Sequence, residues 1–418
     1  MNAPSRWALA LTTAAATAAA TGTALAQRGQ ADLLPDDKIL SQSNPQQWTL
    51  TTTVNIRAYQ AYNSRSMPAT ERFEFKRAAV VYPMIAGTAS SETNTETATG
   101  SIDIDDRDAV AEPDAMLEGY PSGTTLARWD LTNIDAREMT LEVVLPVKAF
   151  RTEINEKLAS EVDWPSGQWP EIAASSLEPQ LYIDYGPDGA YDMRPIEELV
   201  NEWTGGNPRG AKPYLAAKWL LGRVVEHVQP SGPGFNNDRG GSIEGLDVQG
   251  AAATAVNKRG SAIDMALLLT AVYREAGIPA RLVVGYDAGS DKEQQRFLKT
   301  SRANAPEIRA WVEFALFDEA AGTLTWIPAD PHAMRKSSSR IRPNFMEREQ
   351  KYFGNHDELD GVIPFAFQLH PPTTVRSYGS PAFWGWAVLD NPPNYSEQSI
   401  SFRAARTAQR GEDRRNRR

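Results

Sequence analysis

The stretch from Lys258 to Tyr286, KRGSAIDMALLLTAVYREAGIPARLVVGY, constrains this chain more than any other. Ser261 followed three residues later by Asp264 is a capping pattern, so a helix is predicted to start at Ala262. Apolar residues at Ala262, Met265, Ala266, Leu269, Val272, Tyr273 and Ala276 share one helix face. Leu267 and Leu268 lie off that stripe and are apolar too, and only Thr270, Arg274 and Glu275 are polar. A helix that is apolar nearly all round must be covered on every side, so this one is predicted to run through a core. Gly277 supplies a left-handed stop and Pro279 prevents continuation. Arg281 to Tyr286 then reads as a short apolar strand.

This frame resembles the transglutaminase-like superfamily, a papain-like cysteine fold. The residues that carry the resemblance are Gly260-Ser261-Ala262-Ile263-Asp264-Met265-Ala266, then Arg274 and Gly277-Ile278-Pro279-Ala280-Arg281, then Gly285-Tyr286. Two further motifs follow: Arg309-Ala310-Trp311-Val312-Glu313, and Asp330-Pro331 after the next strand. The resemblance implies that Ala262 stands where the family has its nucleophilic cysteine. Arg309 stands where the family has its histidine, and Asp330 holds the place of the acid. The resemblance with specific motifs covers roughly 210 to 331; outside that span it rests on the order of the elements and on pattern.

Such a site needs a thiol at a helix N-terminus, a histidine to take its proton and an acid to orient that histidine. Alanine has no nucleophile, and arginine is too basic to serve as a general base. The catalytic positions Ala262, Arg309 and Asp330 therefore read as degenerate, with no triad intact. Ser261 and Asp264 at the helix start, with Arg309, Trp311, Glu313 and Asp330, are the cleft-binding candidates. Arg309 and Asp330 are expected to form an ion pair that keeps a buried carboxylate from being orphaned. The alternative is a serine route, with Ser261 as nucleophile and His332 as base, although Ser261 lies one residue off the nucleophile position and is better explained as the helix cap, and His332 as a partly exposed loop histidine.

Composition narrows the function classes. The chain has no cysteine, which excludes disulfides, thiol chemistry and a cysteine-borne lipid anchor. Its net charge is −10, which argues against nucleic acid as a main partner. Seven arginines against Glu412 and Asp413 make residues 403–418 a basic tail, expected to be a disordered solvated end or to touch an anionic envelope surface. His227, His332, His356 and His370 are scattered without metal-ligand spacing, and no phosphate loop occurs, so no metal and no cofactor are expected. Residues 1–26 read as a signal peptide: Arg6, a soft apolar run, and Ala24-Leu25-Ala26 before Gln27. An exported, periplasmic or secreted protein without a spanning helix is the expectation.

In chain order, 27–44 reads as a flexible lead. Leu50, Thr52, Val54 and Ile56 alternate with Thr51, Thr53, Asn55 and Arg57, a half-buried strand. Residues 45–150 are expected to form an antiparallel β-sandwich, interrupted by a long polar loop over 87–119. Helices are predicted over Met193–Trp203 and Ala211–Val228, the latter turning Leu215, Trp219, Leu220 and Val224 to a core. Residues 232–245 read as a loop. Ile308–Phe317 is predicted as a strand with Thr323–Ile327 as its hairpin partner. Phe383, Trp384 and Trp386 read as a buried aromatic cluster, with a glycan or peptide platform as the alternative.

The fold expected is α+β, an N-terminal antiparallel β-sandwich followed by a transglutaminase-like (papain-like) core over 180–390. The function expected is a non-catalytic binder of peptide, cell-wall or glycan material. The alternatives are a non-cysteine acyl-transfer or amide-hydrolysing enzyme, and a structural envelope scaffold.

Overall fold

The alternation around Trp48 to Arg57 builds a 19-residue strand, Leu40–Ala58, in the computed structural model of the protein. The structure describes residues 38–58, 72–105, 108–110, 112–237, 243–289, 298–300, 308–338, 340–369, 383–388 and 396–406. Residues 1–26 and most of the expected lead and tail lie outside them. Residues 40–44 of the expected lead belong to the strand Leu40–Ala58, and Arg403 to Arg406 of the expected tail belong to the strand Ser396–Arg406.

Leu40–Ala58 pairs with Glu138–Ile154 on one side and with Ser396–Arg406 on the other, both antiparallel. A second sheet has the order Gly385–Val388, Phe73–Ile85, Thr124–Ala136, Ala115–Tyr120. The two sheets face each other across Leu50, Val54 and Ile56, Leu141, Val143 and Leu145 from the first and Val80, Tyr82, Trp129 and Leu131 from the second, all buried. Tyr82 donates its hydroxyl across that interior to Thr52 Oγ1 at 3.0 Å. Alternation along each strand turns apolar side chains inward, which is what stacks the sheets.

Three expectations change here. The sandwich is not confined to 45–150, because the strands Gly385–Val388 and Ser396–Arg406 return to complete it. The span 87–119 is not one loop: Gly87–Thr88, Ser91–Thr93, Thr99–Ile104, Asp108–Val110 and Ala115–Tyr120 are strands. Sheet neighbours supply the hydrogen bonds that its polar sequence gives no hint of. For the same reason 232–245 contains strand, in Phe235–Asn237 and Ile243–Leu246.

The second layer is the four-stranded antiparallel sheet Thr323–Ala329, Ile308–Asp318, Ala280–Asp287, Val362–Ala366. The central helix, Ala262–Glu275, packs on Ile308–Asp318 and Ala280–Asp287, and every residue from Ile263 to Arg274 is buried. Helices Arg194–Thr204, Pro213–His227 and Ala251–Asn257 surround it. Burial of each of Leu267, Leu268 and Leu269 contributes about 1.5–3 kcal/mol. The helix ends at Gly277, whose φ of 81° only glycine adopts without cost. Trp219 departs from its expected inward aim: it is 42 % exposed, on the outer side of Pro213–His227. Phe383 and Trp384 are buried, and Phe383 packs against Phe365 at 4.6 Å and Tyr82 at 5.8 Å. A ligand platform at those two residues is thereby ruled out, while the Trp386 side chain lies outside the description.

Candidate functional site

Ser261 opens the central helix with a complete capping box. Its Oγ accepts from Asp264 N at 3.2 Å and donates to Asp264 Oδ2 at 2.8 Å, and Ser261 N donates to the same oxygen at 2.9 Å. Asp264 Oδ1 takes Gln249 N at 2.9 Å and Gly250 N at 3.3 Å. Burial pushes the Asp264 carboxyl up, against the pull of these donors. Ser261 and Asp264 are both buried, and Gly234 approaches so closely that a Cβ there would stand 2.9 Å from Ser261 Oγ. These two residues fix the helix start and the loop before it; neither is placed to touch a ligand. Ala262, the first helical residue, is half-buried.

Asp330 caps the short helix Pro331–Ser337, accepting from Ala333 N at 2.8 Å. That helix packs on the central helix and on Gln229–Pro230, the strand that pairs with Arg259–Gly260 immediately before Ser261. The segment carrying Asp330 and His332 is thus docked at the end of the central helix where Ala262 sits. Arg309 reaches Asp330 from the neighbouring strand, Nε to Oδ2 at 3.1 Å. The ion pair expected between them is present. Arg309 also meets Glu358 Oε2 through Nη2 at 2.9 Å and Asp287 Oδ2 through Nη1 at 3.7 Å. Three carboxylates around one guanidinium outweigh the cost of its burial and hold it protonated.

Burial alone would raise Asp330, which is 1 % exposed. The hydrogen bond from His356 and the charge of Arg309 overcome that and hold the carboxyl well below the usual range. His356 Nε2 stands 3.4 Å from Asp330 Oδ2, while Nδ1 has no hydrogen-bond partner among the described residues. Burial, helped by Arg309, depresses the His356 imidazole and keeps it neutral. His356 is brought in from a distant turn by backbone pairing with Thr152 of the sandwich and by its edge-on contact with the Tyr352 ring at 5.0 Å. Nothing in its sequence spacing signals this role, because Asp330 lies 26 residues earlier. Tyr352 sits at φ 70°, donates its hydroxyl to Glu358 Oε1 at 3.0 Å, and accepts from Asp330 N at its carbonyl.

Trp311 and Glu313 do not join this cluster and are corrected as cleft residues. Both are fully buried on the side of the sheet that meets the sandwich, where Trp311 packs with Ile85, Val283 and Phe367. Glu313 is the partner of Arg281, Oε2 to Nη2 at 2.7 Å, and its Oε1 accepts from Ala89 N at 2.8 Å. The Arg281 guanidinium lies between the Trp326 and Phe367 rings, at 4.2 and 4.1 Å. Arg274 is likewise internal: it pairs with Asp184 at 3.2 Å and donates to Ala280 O at 2.9 Å, and burial lowers it to about 10. The two arginines of the Arg274 to Arg281 motif are thus framework residues, each tying the helix–strand turn to another part of the chain.

Ser261 and His332 do not hydrogen-bond each other among the described residues, and the Ser261 hydroxyl is committed to Asp264. Among the described residues no group of three or more His, Cys, Asp or Glu is arranged to hold a metal ion. No helix among them is long and apolar enough to cross a membrane.

Several solved structures resemble the chain. A candidate cysteine protease from Cytophaga hutchinsonii is 14 % identical with a TM-score of 0.47, over 88 % of this chain and 93 % of that one. The periplasmic domain of TgpA from Pseudomonas aeruginosa is 14 % identical with a TM-score of 0.30, over 71 % of this chain and 92 % of that one. A candidate protease from Parabacteroides distasonis is 8 % identical with a TM-score of 0.22, over 61 % and 62 %. No curated protein matches. The family model of the Transglutaminase-like superfamily matches residues 212–331, the span that holds the central helix, Arg309 and Asp330. Residues 212–331 are a transglutaminase-like domain.

Proposed function

We propose that this domain is catalytically silent and serves as a binder of peptide, cell-wall or glycan material in an exported protein. The observation that carries the reading is the pairing at the triad positions. Ala262 offers no nucleophile at the helix start, and Arg309 occupies the carboxylate that would orient a histidine. A guanidinium held protonated by three acids can neither accept a proton nor release Asp330. His356 contacts the same carboxylate but is fully buried and neutral, which suits an internal hydrogen-bond partner. A serine route gains no support, since the Ser261 hydroxyl is buried and points to Asp264. Export rests on residues 1–26, and N-terminal sequencing of the secreted or periplasmic fraction is expected to begin at Gln27.

The test is an amide-transfer and hydrolysis assay on the wild type beside the double variant Ala262→Cys, Arg309→His. Activity confined to the double variant supports the reading. Wild-type activity that Ser261→Ala abolishes overturns it in favour of the serine enzyme. Binding is read by retention on cell-wall fragments, comparing wild type with Arg309→Lys and using thermal melting to exclude unfolding. Equal retention removes the cleft as the binding surface and leaves the scaffold alternative.

A further inference from the structure

Trp219 is turned outward on helix Pro213–His227, yet it is held in place. Its Nε1 donates to Trp203 O at 2.9 Å, on helix Arg194–Thr204. One turn further along, the Arg223 guanidinium lies 5.7 Å from the Trp219 ring and 5.8 Å from the Trp203 ring. Leaving a large indole in water forgoes the gain of burying it, and fixing it there adds an ordering cost. Tryptophan held out in this way is what binding surfaces are enriched in.

Beside it runs a groove of about 420 Å³ between helices Arg194–Thr204, Pro213–His227 and Ala251–Asn257. Trp203, Arg223 and His227 line it, together with the exposed Val256. None of Ser261, Ala262, Arg309 and Asp330 lines it, so it is separate from the triad positions. Its charges cancel. Glu198, Glu202 and Glu226 stand against Arg223, Lys258 and Arg194, the last paired with Glu198 at 3.0 Å. Hydrogen-bonding capacity is left over. Glu202 and Lys258 make no side-chain hydrogen bond or ion pair among the described residues. Arg223 engages Glu226 through Nη1 at 3.3 Å, and its Nη2 has no hydrogen-bond partner among those residues. His227 Nε2 donates to Ala255 O at 2.7 Å, and burial keeps the ring neutral, which leaves Nδ1 an acceptor.

This inventory selects the occupant. A charged ligand would meet as many like charges as opposite ones. An extended peptide is held by main-chain hydrogen bonds along a strand edge, and the walls here are helices, whose backbone groups bond internally. A sugar satisfies each requirement. Every hydroxyl donates and accepts, so it answers acids and bases alike, and the C–H face of a pyranose packs on an indole. We propose that the groove beside Trp219 binds a neutral oligosaccharide, with one ring stacked on Trp219 and the following rings hydrogen-bonded along Arg223 and Glu202. This narrows the binding role proposed above to one ligand class at one site, and it rests on that role.

Calorimetric titration of the full chain with cellohexaose, maltohexaose and N-acetylchitohexaose tests this. At least one is expected to bind, with an affinity that changes less than about twofold between about 0.02 M and about 0.5 M salt, because no net charge is paired. Trp219→Ala is expected to weaken that binding about tenfold or more. Glu202→Gln, which leaves the platform intact should the first variant fold poorly, is expected to weaken it about threefold. Tyr191→Ala, which removes an exposed aromatic outside the groove, is expected to bind as the wild type does. No binding of any of the three at about 5 mM overturns the inference, and so does binding that salt abolishes or that neither groove variant weakens. Retention on cell-wall fragments separates this failure from that of the broader reading. If no probe binds, fragments still retained by wild type and Trp219→Ala alike overturn the groove alone, and fragments retained by neither overturn the binding role with it.

Discussion

Arg309→Ala is the perturbation that tests the site most directly. Among the described residues it leaves the Asp330 carboxylate, 1 % exposed, with Ala333 N and the 3.4 Å contact to His356. Removing one partner of a buried pair costs about 3–5 kcal/mol, because the other charge stays desolvated. Glu358 and Asp287 are each about one-third exposed, so losing Arg309 there adds little, well under about 1 kcal/mol per contact. A loss of about 3–4 kcal/mol at pH 7 is expected. The pH dependence has a definite sign. A depressed carboxylate contributes stability that is present above its unfolded pKa, about 3.9, and is lost as pH falls through the folded value. Without Arg309 the depression shrinks, so the variant has less of this contribution to lose. The stability difference between wild type and variant is therefore expected to narrow as pH drops from 7 towards 3. Denaturant unfolding at several pH values measures it. A loss below about 1 kcal/mol at pH 7, or one that stays constant with pH, would refute the argument that this pair is buried and coupled.

Three further outcomes are expected. Ser261→Ala removes the helix cap and is expected to cost about 1–2 kcal/mol in a denaturation experiment, more than a solvent-exposed serine would. His356→Gln keeps a donor for Asp330 but cannot titrate. A histidine depressed by burial makes the unfolded chain bind the extra proton, so wild-type stability falls as pH drops below about 6.5, and the variant should show a flatter slope between pH 7 and 5. Glu313→Ala orphans Arg281 between Trp326 and Phe367 and is expected to cost about 3–5 kcal/mol; a near-neutral result in thermal or chemical unfolding would contradict the burial of that pair.

Local sequence was most informative where local physics decides. Ser261 with Asp264, the apolar run to Ala276 and Gly277 define a helix through short-range hydrogen bonds and a continuous apolar surface, and the structure carries all three. The Ile308–Asp318 hairpin was legible for the same reason, as a period-two pattern ending in a turn. The pairing of Arg309 with Asp330 was also readable, since a buried acid must find a cation and the matching motifs aligned only one.

Partner choice across long separations was not readable. Arg309, Trp311 and Glu313 fall on the same side of one strand, yet Arg309 meets the cluster at Asp330 while Trp311 and Glu313 are sealed beneath the sandwich. His356 carries no local mark of its contact with Asp330; only its docking on Thr152 of a distant strand brings it there. Polar stretches such as 87–119 read as loop because nothing in them calls for burial, and neighbouring strands supply their order. The sequence by itself determined the helix, its cap and the missing thiol, because these depend on residues a few positions apart. Tertiary structure alone decided which buried charges meet and how the strand Ser396–Arg406 comes to pair with Leu40–Ala58, because those depend on what packing brings together across hundreds of residues.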